Sequence, residues 1–150
     1  MLDFKGLLFD LDGTLLDTAP DFITALNKQL GLHGRESLPD NAIRTSVTNG
    51  SVGLIQSGFK IDPGHSEFEA LRAEFLELYF ANLADKTALF AGLQLVLDEC
   101  RSQEIPWGVV TNKPWRYTES AMVQLGLMEA AATVICPDHV QQTKPHPEPI

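Results

Sequence analysis

The spacing of apolar residues changes character twice along this chain. Residues 4–9, Phe-Lys-Gly-Leu-Leu-Phe, form a short and nearly all-apolar run. Such a run predicts a parallel strand buried on both faces. The apolar positions then recur at helical spacing. Thr18, Pro20 and Asp21 read as a helix start with Thr18 as cap; Phe22, Ile23, Leu26 and Leu30 share one face, and Gly31 reads as the stop. Ser37-Leu38-Pro39-Asp40 opens a second helix, with Ile43 and Val47 on its buried side. Thr48-Asn49-Gly50-Ser51 reads as a loop, followed by a short helix through Leu54 and Ile55. After the Asp62-Pro63-Gly64 turn, Phe68, Leu71, Phe75 and Leu78 mark an amphipathic helix from Ser66 to about Leu83, with Glu67, Glu74 and Glu77 toward water.

Beyond Phe90-Ala91-Gly92 the rhythm alternates. Leu93, Val96, Leu97 and Cys100 predict a helix, Trp107 to Thr111 a strand, Pro114 to Leu125 a helix that Gly126 stops, and Ala132 to Cys136 a strand. Alternating strand and helix implies right-handed crossovers and a parallel sheet. The expected fold class is therefore α/β: a Rossmann-like core of residues 1–16 and 84–150, interrupted by a helical block, 17–83, with no convincing strand. Pro145, Pro147 and Pro149 predict a rigid, extended loop.

Composition narrows the function. Of the 150 residues 44% are hydrophobic, enough for a buried core. The formal charge of −9 argues against a nucleic-acid partner and against an anionic membrane surface. No stretch approaches the roughly 18 apolar residues of a membrane span. Asp3 and Lys5 flank a short strand where a leader would need a long apolar run, so a cytoplasmic protein is expected. Cys100 and Cys136 show no CxxC or Cys/His spacing and read as reduced, buried thiols. His33, His65, His139 and His146 have no metal-ligand spacing.

The chemistry concentrates where the first strand ends, in Phe9-Asp10-Leu11-Asp12-Gly13-Thr14. Ligand sites of open α/β sheets lie at the carboxyl ends of the strands. Two carboxylates this close repel unless a cation or a proton relieves them. One then suits the role of nucleophile and metal ligand, the other that of general acid and base, provided it can hold a proton. Gly13 lets the backbone turn tightly behind them.

That stretch resembles motif I of the haloacid dehalogenase-like (HAD) phosphohydrolases. Val109-Val110-Thr111-Asn112 resembles their motif II, and Lys144-Pro145 their motif III, in the same order. The resemblance implies Asp10 as nucleophile forming an aspartyl-phosphate, Asp12 as general acid/base, Thr111 as a phosphate ligand with Asn112 nearby, and Lys144 as a cation between phosphate and Asp10. It also implies that the backbone amides of Leu11 and Asp12 face the phosphate, with Gly13 among the substrate-binding residues, and that Mg²⁺ is held by Asp10 and Asp12. Residues 17–83 match the family's α-helical cap, where Arg44, Asn49 and Ser51 would select the substrate.

Asp17-Thr18-Ala19-Pro20-Asp21, the Asn49-Gly50 step and Lys144-Pro145-His146-Pro147-Glu148-Pro149 resemble the phosphoglycolate phosphatase branch. Pro106 to Pro114 and Cys136 to Val140 are as similar to N-acetylmuramic acid 6-phosphate phosphatases. The expected substrate is a small phosphorylated metabolite, 2-phosphoglycolate ahead of the sugar phosphate, handled by a monomer or homodimer. One family element has no counterpart: the acidic motif IV, on a strand beside the first, would fall after Ile150. These residues are accordingly expected to be the front part of a longer protein, with strand 4–9 otherwise an exposed edge. The alternative is an inactive HAD module that binds without turnover.

Overall fold

A computed structural model describes residues 4–150; Asp3 of the expected strand flank lies outside them. The chain divides into two compact units, Met1–Asp17 with Ala88–Ile150, and Thr18–Thr87.

The first unit is built on a parallel sheet of β1 (Leu7–Phe9), β4 (Trp107–Val110) and β5 (Thr133–Ile135), in the order β1-β4-β5. Leu7 pairs with Trp107 and Phe9 with Val109, while Gly108 pairs with Thr133 on the other side. All four residues of β4 are buried, as an all-apolar central strand requires. The same expectation fails for β1, which spans three residues and pairs with β4 alone among the described residues. Leu8 is therefore 49% exposed. Gly108 sits where a side chain cannot: a Cβ there would lie 2.5 Å from Thr133 Cγ2 and 2.8 Å from its carbonyl oxygen. Helices α5 (Leu93–Ser102) and α6 (Trp115–Gln124) flank the sheet. Leu97, Cys100, Trp107, Val109 and Met122 share one core with Leu11, Leu15 and Leu16. Val96 faces outward, because Leu97 and Cys100 take the inward positions of α5.

One element of this unit was not anticipated. Leu16–Asp17 (β2) and Ala88–Leu89 (β3) pair antiparallel, Leu16 with Leu89 and Asp17 with Ala88. Two-residue strands carry too few positions to show a period.

The second unit holds α1 (Ala19–Leu32), α2 (Asp40–Val47), α3 (Gly50–Phe59) and α4 (Phe68–Ala81). Helix α1 runs through Gly31 to Leu32, and Thr18 makes no side-chain capping bond; its buried hydroxyl has no partner. Gly50 and Ser51 begin α3 and do not belong to a loop. Along α4 the buried face is Phe68, Leu71, Phe75 and Tyr79, with Leu78 half-buried. Tyr79 replaces Leu78 because its ring stacks on Phe22 of α1, centroids 4.2 Å apart. Glu74 does not face water freely: it accepts from Gln29 Nε2 and pairs with His33 Nε2, each at 2.7 Å.

Asp21 closes this unit. Fully buried near the start of α1, it accepts the amides of Lys86 at 2.8 Å and Thr87 at 3.1 Å, and the Thr87 hydroxyl. Asp21→Ala strands those buried donors, and a loss of about 2–3 kcal/mol in urea unfolding is expected; an unchanged midpoint would contradict this role. Burial would raise the Glu74 carboxyl, but hydrogen bonds from Gln29 and His33, with the charge of His33, lower it below its ordinary 4.5. A lowered carboxyl stabilises the fold above that ordinary value and loses the contribution as pH falls through the folded one. Glu74→Gln is thus expected to destabilise by less than about 1 kcal/mol at neutral pH, since both partners are part-exposed. The gap to the wild type should shrink on acidification in denaturant titrations.

Candidate active site

Parallel strands β1 and β4 end side by side, so the residues that follow them, Asp10 and Thr111, emerge at the same edge of the sheet. Behind Asp10 the chain makes a compact turn. Leu15 and Leu16 amides donate to the Leu11 carbonyl at 3.1 and 2.9 Å, and Gly13, at φ +77°, donates its amide to Leu16 O at 2.9 Å. The positive φ explains the glycine. Its N–H is committed to the turn, so Gly13 shapes the loop, the role expected of it, and its amide is not the donor of the substrate-binding residue it was also expected to be.

Each acid of the pair has a lysine. Lys144 Nζ donates to Asp10 Oδ1 at 2.8 Å and to the Val110 carbonyl at 2.6 Å. Lys113 Nζ donates to both oxygens of Asp12, at 3.0 and 3.2 Å. These two ammonium groups meet the repulsion that the paired carboxylates impose. The two ion pairs differ in access to water. The Lys113 side chain is 5% exposed and Asp12 28%, against 27% for Lys144 and 43% for Asp10. Asp10 is the acid that a ligand can reach.

Thr111 is buried, and its Oγ1 accepts the Lys113 amide at 3.1 Å, which leaves the hydroxyl proton to give. Asn112 has a different task from the one expected. Its Nδ2 donates to Lys144 O at 3.0 Å and its Oδ1 accepts Lys144 N at 3.2 Å, a two-point clamp that fixes the backbone of the lysine segment. Further along, Glu148 accepts the amides of Gln141 and Gln142, both at 2.8 Å, and closes that segment into a loop. Asp10, Asp12, Thr111, Asn112 and Lys144 are thus brought together in the first unit.

Arg44, Asn49 and Ser51 lie in the second unit, on α2, at the position before α3, and on α3. Ser51 Oγ accepts Arg72 Nε at 2.9 Å. Lys113 was missed by sequence reasoning. The available signal was its place just after the Thr-Asn that follows β4 and before the Pro that opens α6.

Cys136, which follows β5, is buried. Burial pushes its thiol up; a hydrogen bond with Thr118 opposes that, and the charge of Asp138 adds to it. The group behaves as a small apolar filler. Among the described residues no three His, Cys, Asp or Glu side chains group so as to hold a metal ion. None of their helices is long and apolar enough to cross a membrane.

A family model described as haloacid dehalogenase-like hydrolase matches residues 7–150. The chain is 47% identical over 146 residues to the N-acetylmuramic acid 6-phosphate phosphatase of Pseudomonas putida, covering 97% of itself and 66% of that protein. It is 36% identical over 147 residues to the phosphoglycolate phosphatase of Xanthomonas campestris pv. campestris, with shares of 97% and 66%. A crystal structure described as a predicted phosphoglycolate phosphatase from Haemophilus somnus superposes with a TM-score of 0.80 at 26% identity, over 98% of this chain and 68% of that one. The chain thus spans 66% of the length of these curated relatives.

The Asn112 clamp has a measurable consequence. Each of its bonds is worth about 1 kcal/mol, so Asn112→Ala should speed amide exchange at Lys144 by roughly tenfold. Exchange at wild-type rate would show that the clamp does not hold the segment.

Proposed function

Because the chain belongs to the haloacid dehalogenase-like hydrolase family, we propose that it acts as a Mg²⁺-dependent phosphomonoester phosphatase working through an aspartyl-phosphate on Asp10. The observation that carries this reading is the reachable Asp10 carboxylate at the end of β1, gripped by Lys144 and flanked by Thr111 at the end of the adjacent strand.

The chemistry follows in two halves. An Asp10 oxygen attacks phosphorus in line, the bond from phosphorus to the ester oxygen breaks, and Asp12 gives the departing alkoxide a proton. Water then attacks the phosphorus of the acyl phosphate, Asp12 takes its proton back, and Asp10 is released with inorganic phosphate. Lys144 and the Thr111 hydroxyl hold phosphoryl oxygens throughout, and a compact ammonium suits that contact.

Mg²⁺ takes oxygen ligands, keeps several waters, and is commonly bound through one or two carboxylates plus a substrate phosphate. Asp10 fits that role, with one oxygen on Lys144 and the side chain open to solvent. The Asp12 carboxylate does not, since both its oxygens face Lys113, so the pair expected as metal ligands reduces to Asp10. When bound, the cation would neutralise phosphoryl charge ahead of attack.

Residues 18–87 serve in this reading as the cap of a core formed by the rest, with Arg44, Asn49 and Ser51 as its substrate-selecting groups. For the substrate, the 47% likeness to an N-acetylmuramic acid 6-phosphate phosphatase, against 36% to a phosphoglycolate phosphatase, favours the sugar phosphate and reverses the order drawn from short motifs. Both compounds are phosphate esters of a primary alcohol that carry a carboxylate, and Arg44 is the proposed partner of that second anion. A cytoplasmic metabolic enzyme is the setting this chemistry suits.

A second reading, a module that binds phosphate without turnover, is favoured by the lysines already paired with both acids. Hydrolysis assays with Mg²⁺ and with EDTA, on N-acetylmuramate 6-phosphate, 2-phosphoglycolate and p-nitrophenyl phosphate, separate the two. Phosphatase expects Mg²⁺-dependent turnover that Asp10→Asn lowers by at least about a thousandfold. Turnover that survives Asp10→Asn, or phosphate binding with no turnover, defeats it.

A further inference from the structure

Lys113 carries the most deeply buried charge at the site, its side chain 5% exposed. A buried ammonium is costly unless it is paired, and this one spans both oxygens of Asp12 at 3.0 and 3.2 Å. Its backbone is braced on both sides. The amide donates to Thr111 Oγ1 at 3.1 Å, and the carbonyl accepts the hydroxyl of fully buried Thr118 at 3.2 Å. Asp12, on the turn after β1 and partly open to water, has several staggered orientations of its own. A cation fixed between β4 and α6 selects one of them.

We propose that Lys113 is the positioning residue of Asp12: it holds that carboxylate in the orientation from which it serves first the ester oxygen and then the attacking water. The proposal rests on the reading of Asp12 as proton carrier, and it gives the strand-to-helix junction at 111–118 a task beyond binding phosphate. In this reading Lys113 acts through Asp12, whose two oxygens it holds. Its effect is confined to steps in which Asp12 moves a proton.

Leaving groups supply the test. An alkoxide must be protonated as it departs, whereas p-nitrophenolate departs without help. In the intact protein with Mg²⁺, Lys113→Met is expected to lower kcat on N-acetylmuramate 6-phosphate or 2-phosphoglycolate by about a hundredfold with KM little changed. On p-nitrophenyl phosphate the pre-steady-state burst of p-nitrophenolate, which reads the first half-reaction alone, should slow by less than about fivefold, while the water step common to both esters slows alike. In an Asp12→Asn background the same change should add almost nothing, because the two residues act as one unit. Lys113→Arg keeps the charge and should recover part of the alkyl-phosphate activity. It also decides the matter if the Met variant does not fold, through the same alkyl-selective but smaller loss. An equal slowing of the first half-reaction with both kinds of ester, or losses that multiply in the double variant, overturn the proposal. The parent reading fails differently: Asp12→Asn itself would then slow the first half-reaction equally with both esters, or Asp10→Asn would stay active.

Discussion

Two carboxylates at the end of one short strand can stay together only if positive charge is brought to them, and much of the first unit is arranged to deliver it. Asp10 receives Lys144 from a loop far along the chain, and Asp12 receives Lys113 from the end of the neighbouring strand. Both deliveries depend on the sheet. Parallel pairing of β1 with β4 sets Asp10 beside Thr111, and Lys113 follows two residues later. On the far side of β4, Gly108 permits the close approach of Thr133. The buried pair is orienting in character, and the more exposed pair is suited to be displaced by a ligand.

The sequence made the centre of this arrangement legible for a physical reason. Asp10, Asp12 and Thr111 sit at the ends of apolar runs, where a buried strand has to surface and turn, and a short run of hydrophobic residues is enough to locate them. Lys144 was marked by its proline-rich surroundings. Lys113 escaped because a lysine beside an asparagine looks like surface until the strands are paired and its stem is seen to run inward. Asn112 was given to the ligand, and the structure gives it to the backbone of Lys144; an amide has the donor and acceptor for either use, and its periodicity does not distinguish them. The helices were legible as far as their faces repeat. Where a ring outweighs the period, as with Tyr79 on Phe22, or where helix begins at Gly50 with a positive φ, the pattern misled.

The second unit shows how a modest helical bundle is given one structure. Phe22, Phe75 and Tyr79 stack as an aromatic column between α1 and α4. Gln29 reaches both the Leu71 carbonyl and Glu74, and so fixes the register of the same two helices. Apolar burial supplies the driving force, and these few buried polar bonds decide which packing is adopted.

The paired strands β2 and β3 put Asp17 directly opposite Ala88, so the chain departs for the helical unit and comes home at neighbouring points. Asp21 repeats that neighbourliness from the other side, through Lys86 and Thr87. A segment whose two ends already touch can be exchanged for another without rethreading the sheet, since closing it costs entropy that grows only slowly with its length. The excursion can therefore be replaced wholesale, while the acids, the lysines and the strands that present them stay in place.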